Sequence, residues 1–202
     1  MKKTLDEHAA RFDEIAAEYD ENKSEEYNEC VRLVVEHATR GLSGDETVLD
    51  LATGTGAIAL ALADSAGRVV GRDISEGMLE QAREKAKERG ISNVEFGEGR
   101  FRSPNYDGPV DVVTSNFAMH HLSDDEKREA IDVIAALGPR KIVLGDVMLF
   151  GEPNPDEPFF SPDVDDPATV GVLADAFTDA GYALTAVEMV HDHVGVLVAE
   201  RA

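Results

Sequence analysis

The densest group of chemistry-bearing residues is Asp50-Leu51-Ala52-Thr53-Gly54-Thr55-Gly56-Ala57-Ile58-Ala59. Glycine at 54 and 56 lets the backbone bend tightly and lets a ligand approach the main chain. A helix that starts just after such a bend presents unpaired N–H groups and a positive dipole end. Asp73 lies about twenty residues further on, where a carboxylate in a doubly wound sheet reaches a bound ribose diol. Two cofactors satisfy this arrangement. Gly54-x-Gly56-x-x-Ala59 matches the dinucleotide fingerprint, with Asp73 as its acid. Asp50 argues for the other, because a carboxylate beside the bend repels a pyrophosphate and suits a ligand with an ammonium group and a second positive centre. S-adenosylmethionine has both, together with an adenosine ribose.

A second group is His120-His121. A free imidazole is half-charged near about pH 6.5, so either ring is a candidate general base, the alternative being a helix cap or core packing. His191 and His193 alternate near the C-terminus and could share a face. Metal ligation there lacks a third ligand in view, so no metal is expected.

These residues need elements to hold them. Leu5, Ala9, Phe12, Ile15, Ala16 and Tyr19 recur at helical spacing, and Tyr27, Val31, Val34, Val35 and Ala38 do so over Glu25–Thr39. From Thr47 the pattern alternates. Strands are expected at Thr47–Leu51, 69–71, 93–96, 110–115 and Lys141–Val147, with helices at about 57–64, from an N-cap at Ser75 to 89, and from Ser123 to 137. That alternation predicts right-handed βαβ units and a parallel sheet covered on both faces. Segment 151–167 holds five of the eight prolines, so it reads as a loop, and its Phe159-Phe160 pair as either a lid over an acceptor or a hydrophobic anchor. A helix near 168–180 leads to apolar runs at 183–187 and 194–199, too close for a crossover helix and therefore an antiparallel hairpin. No repeat and no second core are evident. The expectation is one domain over 1–202: cap helices to 42, a cofactor-binding core over 43–150, the loop 151–167, and a C-terminal helix and hairpin over 168–202.

Composition bounds the function. Hydrophobic residues make up 43% of the 202, enough for one ordinary core. Forty-one acids against 19 Lys and Arg give a net charge of −22, which opposes nucleic acid as a partner. One source of such charge is a high-salt cytoplasm, which predicts a melting temperature that climbs with KCl. The longest apolar run, Ala57–Ala63, is far short of the roughly 20 residues a membrane span needs. No signal peptide is expected behind Met1-Lys2-Lys3. The single Cys30 reads as a small core residue and fits a reducing compartment, so a cytoplasmic location is expected.

Val48-Leu49-Asp50-Leu51-Ala52-Thr53-Gly54-Thr55-Gly56 resembles the first motif of class I S-adenosylmethionine-dependent methyltransferases. Val70-Gly71-Arg72-Asp73-Ile74-Ser75-x-x-Met78-Leu79 is similar to their second, and Asp111 through Leu122 to their fourth-strand motif. Phe12-Asp13-x-x-Ala16-x-x-Tyr19-Asp20 is similar to the helix that caps the cofactor in many members. The overall layout resembles small methyltransferases of unassigned substrate, with a first motif like that of quinone C-methyltransferases. The resemblance implies a Rossmann-like three-layer αβα sandwich whose seven-stranded, mostly parallel sheet ends in an antiparallel strand. It implies Asp50 at the cofactor's amino group, with Ala52, Thr53, Gly54 and Gly56 under its methionine part. Asp73 would bind the ribose hydroxyls, Ile74 packs on adenine, Met78 is among the cofactor contacts, Asn116 and Phe117 line the methyl end, and Tyr19 contacts the cofactor. The chain departs from the family in three places. Ala52 replaces a usual glycine, which is tolerated if φ stays negative. Arg72 replaces an apolar residue. Gly99-Arg100-Phe101 lacks the acid that accepts the adenine amino group, and arginine has no acceptor. Phe101 could compensate by stacking on the base. The leading expectation is methyl transfer to a small neutral or cationic acceptor. The alternatives are a non-catalytic cofactor binder with a drifted pocket and a NAD-type oxidoreductase.

Overall fold

Strand and helix alternate from Thr47 onward in the computed structural model, which describes residues 4–21, 23–152, 160–161 and 164–202. The strands are β1 Thr47–Leu51, β2 Arg68–Asp73, β3 Val94–Glu98, β4 Val112–Asn116, β5 Lys141–Val147, β6 Tyr182–His191 and β7 Val194–Arg201. They form one seven-stranded sheet in the order β3-β2-β1-β4-β5-β7-β6. β1 to β5 pair in parallel, and β7 runs antiparallel to both β5 and β6. The final hairpin therefore closes the sheet edge with its second strand inside. β6 is longer than its apolar run because it is the outer strand: its residues alternate between shielded and exposed, leaving Val187 and Met189 on the open face.

The helices are α1 Leu5–Ile15, α2 Glu25–Thr39, α3 Ala57–Leu62, α4 Glu76–Glu88, α5 Asp124–Ala136 and α6 Val170–Asp179. Side chains set where they start. Thr4 and Ser123 form full capping boxes with Glu7 and Glu126, and the hydroxyls of Ser24, Ser75 and Thr169 accept the N–H three residues on. Each such cap contributes about 1 kcal/mol. Strand residues alternate between two cores. Leu49, Val113, Leu144 and Leu197 pack under α5 and α6, while Val48, Val112, Val143 and Val196 pack under α2 and α3. Cys30 of α2 is fully buried among the latter, as a small core residue. Buried Lys141 donates to the carbonyls of His37 (3.1 Å) and Arg40 (2.8 Å), placing its charge at the negative end of α2.

The stripe on α1 differs in one place. Ile15 is exposed, and Ala16, opening a short 3₁₀ turn Ala16–Glu18, takes the buried position while His8 turns inward. The chain leaves β1 outward through β2 and β3, then returns to β4 beside β1. A ligand crevice is expected at such a reversal, outside the carboxyl ends of β1 and β4.

Candidate functional site

β1 carries Asp50 to that crevice, in register with Thr114 of β4. The Asp50 carboxylate is 1% exposed and accepts the hydroxyls of Thr53 (2.6 Å) and Thr114 (2.7 Å). Burial pushes its pKa up to about 6, against the pull of those two donors. β2 carries Asp73, whose carboxylate accepts the N–H of Gly54 (2.7 Å) and of Ser75 (3.0 Å); burial raises its pKa as well. The second acid therefore holds the glycine bend that follows the first. Gly54 and Gly56 have φ of +53° and +85°. Ala52 also has positive φ, at +55°, so the condition under which its methyl is tolerated without strain is not met. An alanine methyl there costs about 1 kcal/mol or more. Phe117, on the opposite wall, is held at φ +52°.

The N-terminal segment is latched onto this bend. Asp13 accepts Ser75 Oγ (2.6 Å) and the Gly77 N–H (2.9 Å) at the start of α4. Asp20 accepts Thr55 Oγ1 (2.8 Å) and pairs with Lys85, which also reaches the Thr55 carbonyl at 3.3 Å. Tyr19 thereby stands over Gly54, with the Lys23 ammonium 2.8 Å from its ring centre. Both latching acids sit in the N-terminal motif, where the sequence points only to Tyr19 as a cofactor contact.

Together these elements enclose a cavity of about 440 Å³. Its wall includes Tyr19, Asp50, Ala52, Thr53, Gly54, Asp73, Ile74, Met78, Phe101, Asn116, Phe117 and His121. Two expected residues are not on it. Gly56 is the N-cap of α3, where a Cβ would stand 3.2 Å from Ala82 of α4; its role is helix packing. His120 is 7% exposed and bonded through Nδ1 to Asp146 of β5 at 2.5 Å, so it faces the strands instead of the cavity. His8, which lies outside the expected α1 stripe, and Tyr27, expected on the buried face of α2, do line it. Their helical spacing gave no sign of this, since a buried face and a cavity wall share one periodicity.

Arg72 lies off the wall and bonds Glu95 (2.6 Å) and the carbonyls of Gly71 (3.2 Å) and Asn105 (3.4 Å), so that departure clamps β2 to β3 and leaves the pocket alone. Arg100 does line the cavity, with its N–H committed to the Ser103 carbonyl (2.9 Å). Of the expected lid pair, Phe159 lies outside the described residues, and Phe160 packs edge-on against His193, their ring centres 6.2 Å apart. The His191 and His193 rings are 5.7 Å apart. Among the described residues the gathering with metal-ligand geometry is instead His120, His121 and Asp165. No helix among the described residues is long and apolar enough to cross a membrane.

Two buried acids, Asp50 and Asp73, stand on the cavity wall, and Asn116 beside them has both amide atoms buried without a hydrogen-bond partner. Buried carboxylates suit an ammonium and hydroxyl-bearing ligand and disfavour a pyrophosphate.

A methyltransferase-domain family model matches residues 48–138. The chain is 35% identical to a demethylmenaquinone methyltransferase of Clavibacter sepedonicus over 59% of its length and 49% of that protein's. Among solved structures it is similar to a magnesium protoporphyrin IX methyltransferase from Synechocystis PCC 6803 with bound S-adenosylhomocysteine (TM-score 0.73, 19% identity, 96% and 95% of the two chains). It is also similar to the [4+2]-cyclase SpnF (TM-score 0.80, 17% identity, 99% and 97%). At these identities the structural likeness is one of fold. The chain spans 33% to 65% of the length of the first curated relatives it matches. The family match runs from β1 to just past α5, across the two acids and the glycine bend, so this core of the chain is similar to methyltransferase domains.

Proposed function

We propose that this protein uses S-adenosylmethionine to methylate a small-molecule acceptor. The observation that carries the reading is the pair of buried acids, Asp50 and Asp73, at adjacent strand ends on either side of a glycine bend, on the wall of one cavity. Bound there, the cofactor would supply an electrophilic methyl group on a sulfonium, open to in-line displacement. Asp50 would hold the ammonium group, its carboxylate already oriented by the Thr53 and Thr114 hydroxyls. Asp73 has lone pairs left beyond its two N–H bonds for ribose hydroxyls. Ile74, Met78 and Phe101 offer the apolar surface for the base, and Asn116 and Phe117 line the end where the methyl group would lie. Phe12, Tyr19, Tyr27 and Phe117 line the cavity with aromatic rings, apolar surface that would help keep water from the reacting methyl. If the acceptor must lose a proton, His121 is the imidazole on the wall to take it, with Asp165 2.8 Å from its Nδ1.

The acidic surface favours a neutral or cationic small acceptor over nucleic acid. The porphyrin and quinone named for the similar proteins are acceptors of that size class. A second reading rests on the likeness to a cyclase: this fold hosts more than one reaction, so the pocket could bind the cofactor without methyl transfer. Isothermal titration with S-adenosylmethionine and S-adenosylhomocysteine tests the cofactor, and turnover with candidate acceptors separates the two readings. No heat and no thermal shift at millimolar ligand would remove both.

A further inference from the structure

We propose that His120, His121 and Asp165 form a binding site for a first-row divalent cation, best suited to Zn²⁺, with Asp146 orienting one of the ligands. The three donor atoms lie within 4.8 Å of one another. Tetrahedral zinc, with bonds of about 2.0–2.2 Å, spaces its donors roughly 3.4 Å apart. Asp165 Oδ1 is 2.8 Å from His121 Nδ1 and 3.9 Å from His120 Nε2, straddling that spacing. His121 Nδ1 is buried, with the Asp165 carboxylate as its near neighbour.

The surroundings are built to hold such a group. Asp146, 1% exposed, takes His120 Nδ1 at 2.5 Å and the His120 main-chain N–H at 3.0 Å. A carboxylate on one imidazole nitrogen fixes the ring so that the other nitrogen, here Nε2 facing Asp165, is the ligand atom. Asp165 Oδ2 accepts the Ser161 N–H (2.8 Å), which turns Oδ1 toward the histidines. The next residue is pinned as well: the Asp166 N–H donates to the His120 carbonyl at 2.7 Å. Two imidazoles and one carboxylate suit zinc, cobalt or iron, whereas Mg²⁺ and Ca²⁺ prefer all-oxygen sets. Three protein ligands leave a coordination position open. His121 lies on the cavity wall, so that position can take an oxygen of a hydroxyl- or carbonyl-bearing acceptor. This role rests on the methyl-transfer reading; the binding of metal does not.

The test is titration of chelator-treated protein with Co²⁺, then Zn²⁺, in excess Mg²⁺ and high KCl to suppress diffuse binding by the acidic surface. One equivalent of Co²⁺ should bind with the visible absorption of a low-coordinate site, and Zn²⁺ should displace it. His121→Ala and Asp165→Asn, whose folding is checked by circular dichroism, should each weaken binding by about a hundredfold or more. Asp146→Asn should weaken it by roughly 10–100-fold. Wild-type protein that takes up no stoichiometric Co²⁺ overturns the proposal, leaving the cluster as an acid–imidazole array that fastens the loop to β5. Uptake that survives in both ligand variants overturns it too. Metal binding without any response to S-adenosylmethionine would sink the methyl-transfer reading and leave this site standing.

Discussion

The glycine-bend half of the crevice and the histidine half are built on opposite plans. Asp50, Thr53, Gly54 and Asp73 come from one β–turn–α–β unit and are joined by short-range bonds: Thr53 Oγ1 to Asp50 and the Gly54 N–H to Asp73. The histidine half draws its acids from β5 and from the loop before α6, joined to His120 and His121 only by the fold. The first is preorganised by its own backbone, and the second depends on how a proline-rich loop docks. A site that must grip a constant ligand suits the first plan. A site that meets a variable acceptor suits the second.

Breaking the first half should have the largest effect. Asp50→Asn removes the charge and keeps one acceptor oxygen; the threonine hydroxyl that met the other oxygen can turn to accept from the new NH2 group. S-adenosylmethionine affinity measured by calorimetry should fall about a hundredfold, from a charged hydrogen bond of roughly 1.5–3 kcal/mol, with little change in melting temperature. An equal loss from His121→Ala would mean that the two halves are not separable.

Acid should act on the same half. Burial raises the Asp50 pKa from 3.8 to about 6, so free protein takes up a proton as pH falls through that value. An ammonium group needs the carboxylate, so affinity should drop by up to about tenfold per pH unit below pH 6 and level off above it. A profile flat from pH 7 to 5 would contradict the assignment of Asp50.

Arg100 sharpens the comparison at the base end. Arg100→Asp supplies an acceptor on the wall and should raise cofactor affinity by up to about tenfold, the worth of one hydrogen bond. Arg72→Met, off the wall, should leave affinity unchanged. The smallest effect is on stability. Ala52→Gly relieves a positive φ and should add about 1 kcal/mol, read as roughly 2–4 °C in melting temperature.

How much of this was legible follows the same divide. Thr47–Leu51 and Lys141–Val147 match their strands because buried parallel strands are continuous apolar runs. β6 was read short because an outer strand alternates. Asp50 and Asp73 were found because the turn that joins them has its own residue chemistry. Asp13 and Asp20 were passed over, since an exposed-looking acid on a helix gives no sign of the Ser75 or Thr55 hydroxyl it will meet. His120 and His121 are neighbours in sequence yet face different surroundings: one lies against Asp146, the other on the cavity wall.

The sequence by itself determined the order of strands and helices, the caps that start the helices, the glycine bend and the two acids beside it. All of these depend on residues close along the chain, where backbone geometry and side-chain reach are set locally. Only the tertiary structure decided that Ala52 would be held at positive φ, that Arg72 would turn away from the crevice, and that Asp146 and Asp165 would converge on the histidine pair. Those outcomes depend on contacts between distant segments, which packing selects and no local pattern encodes.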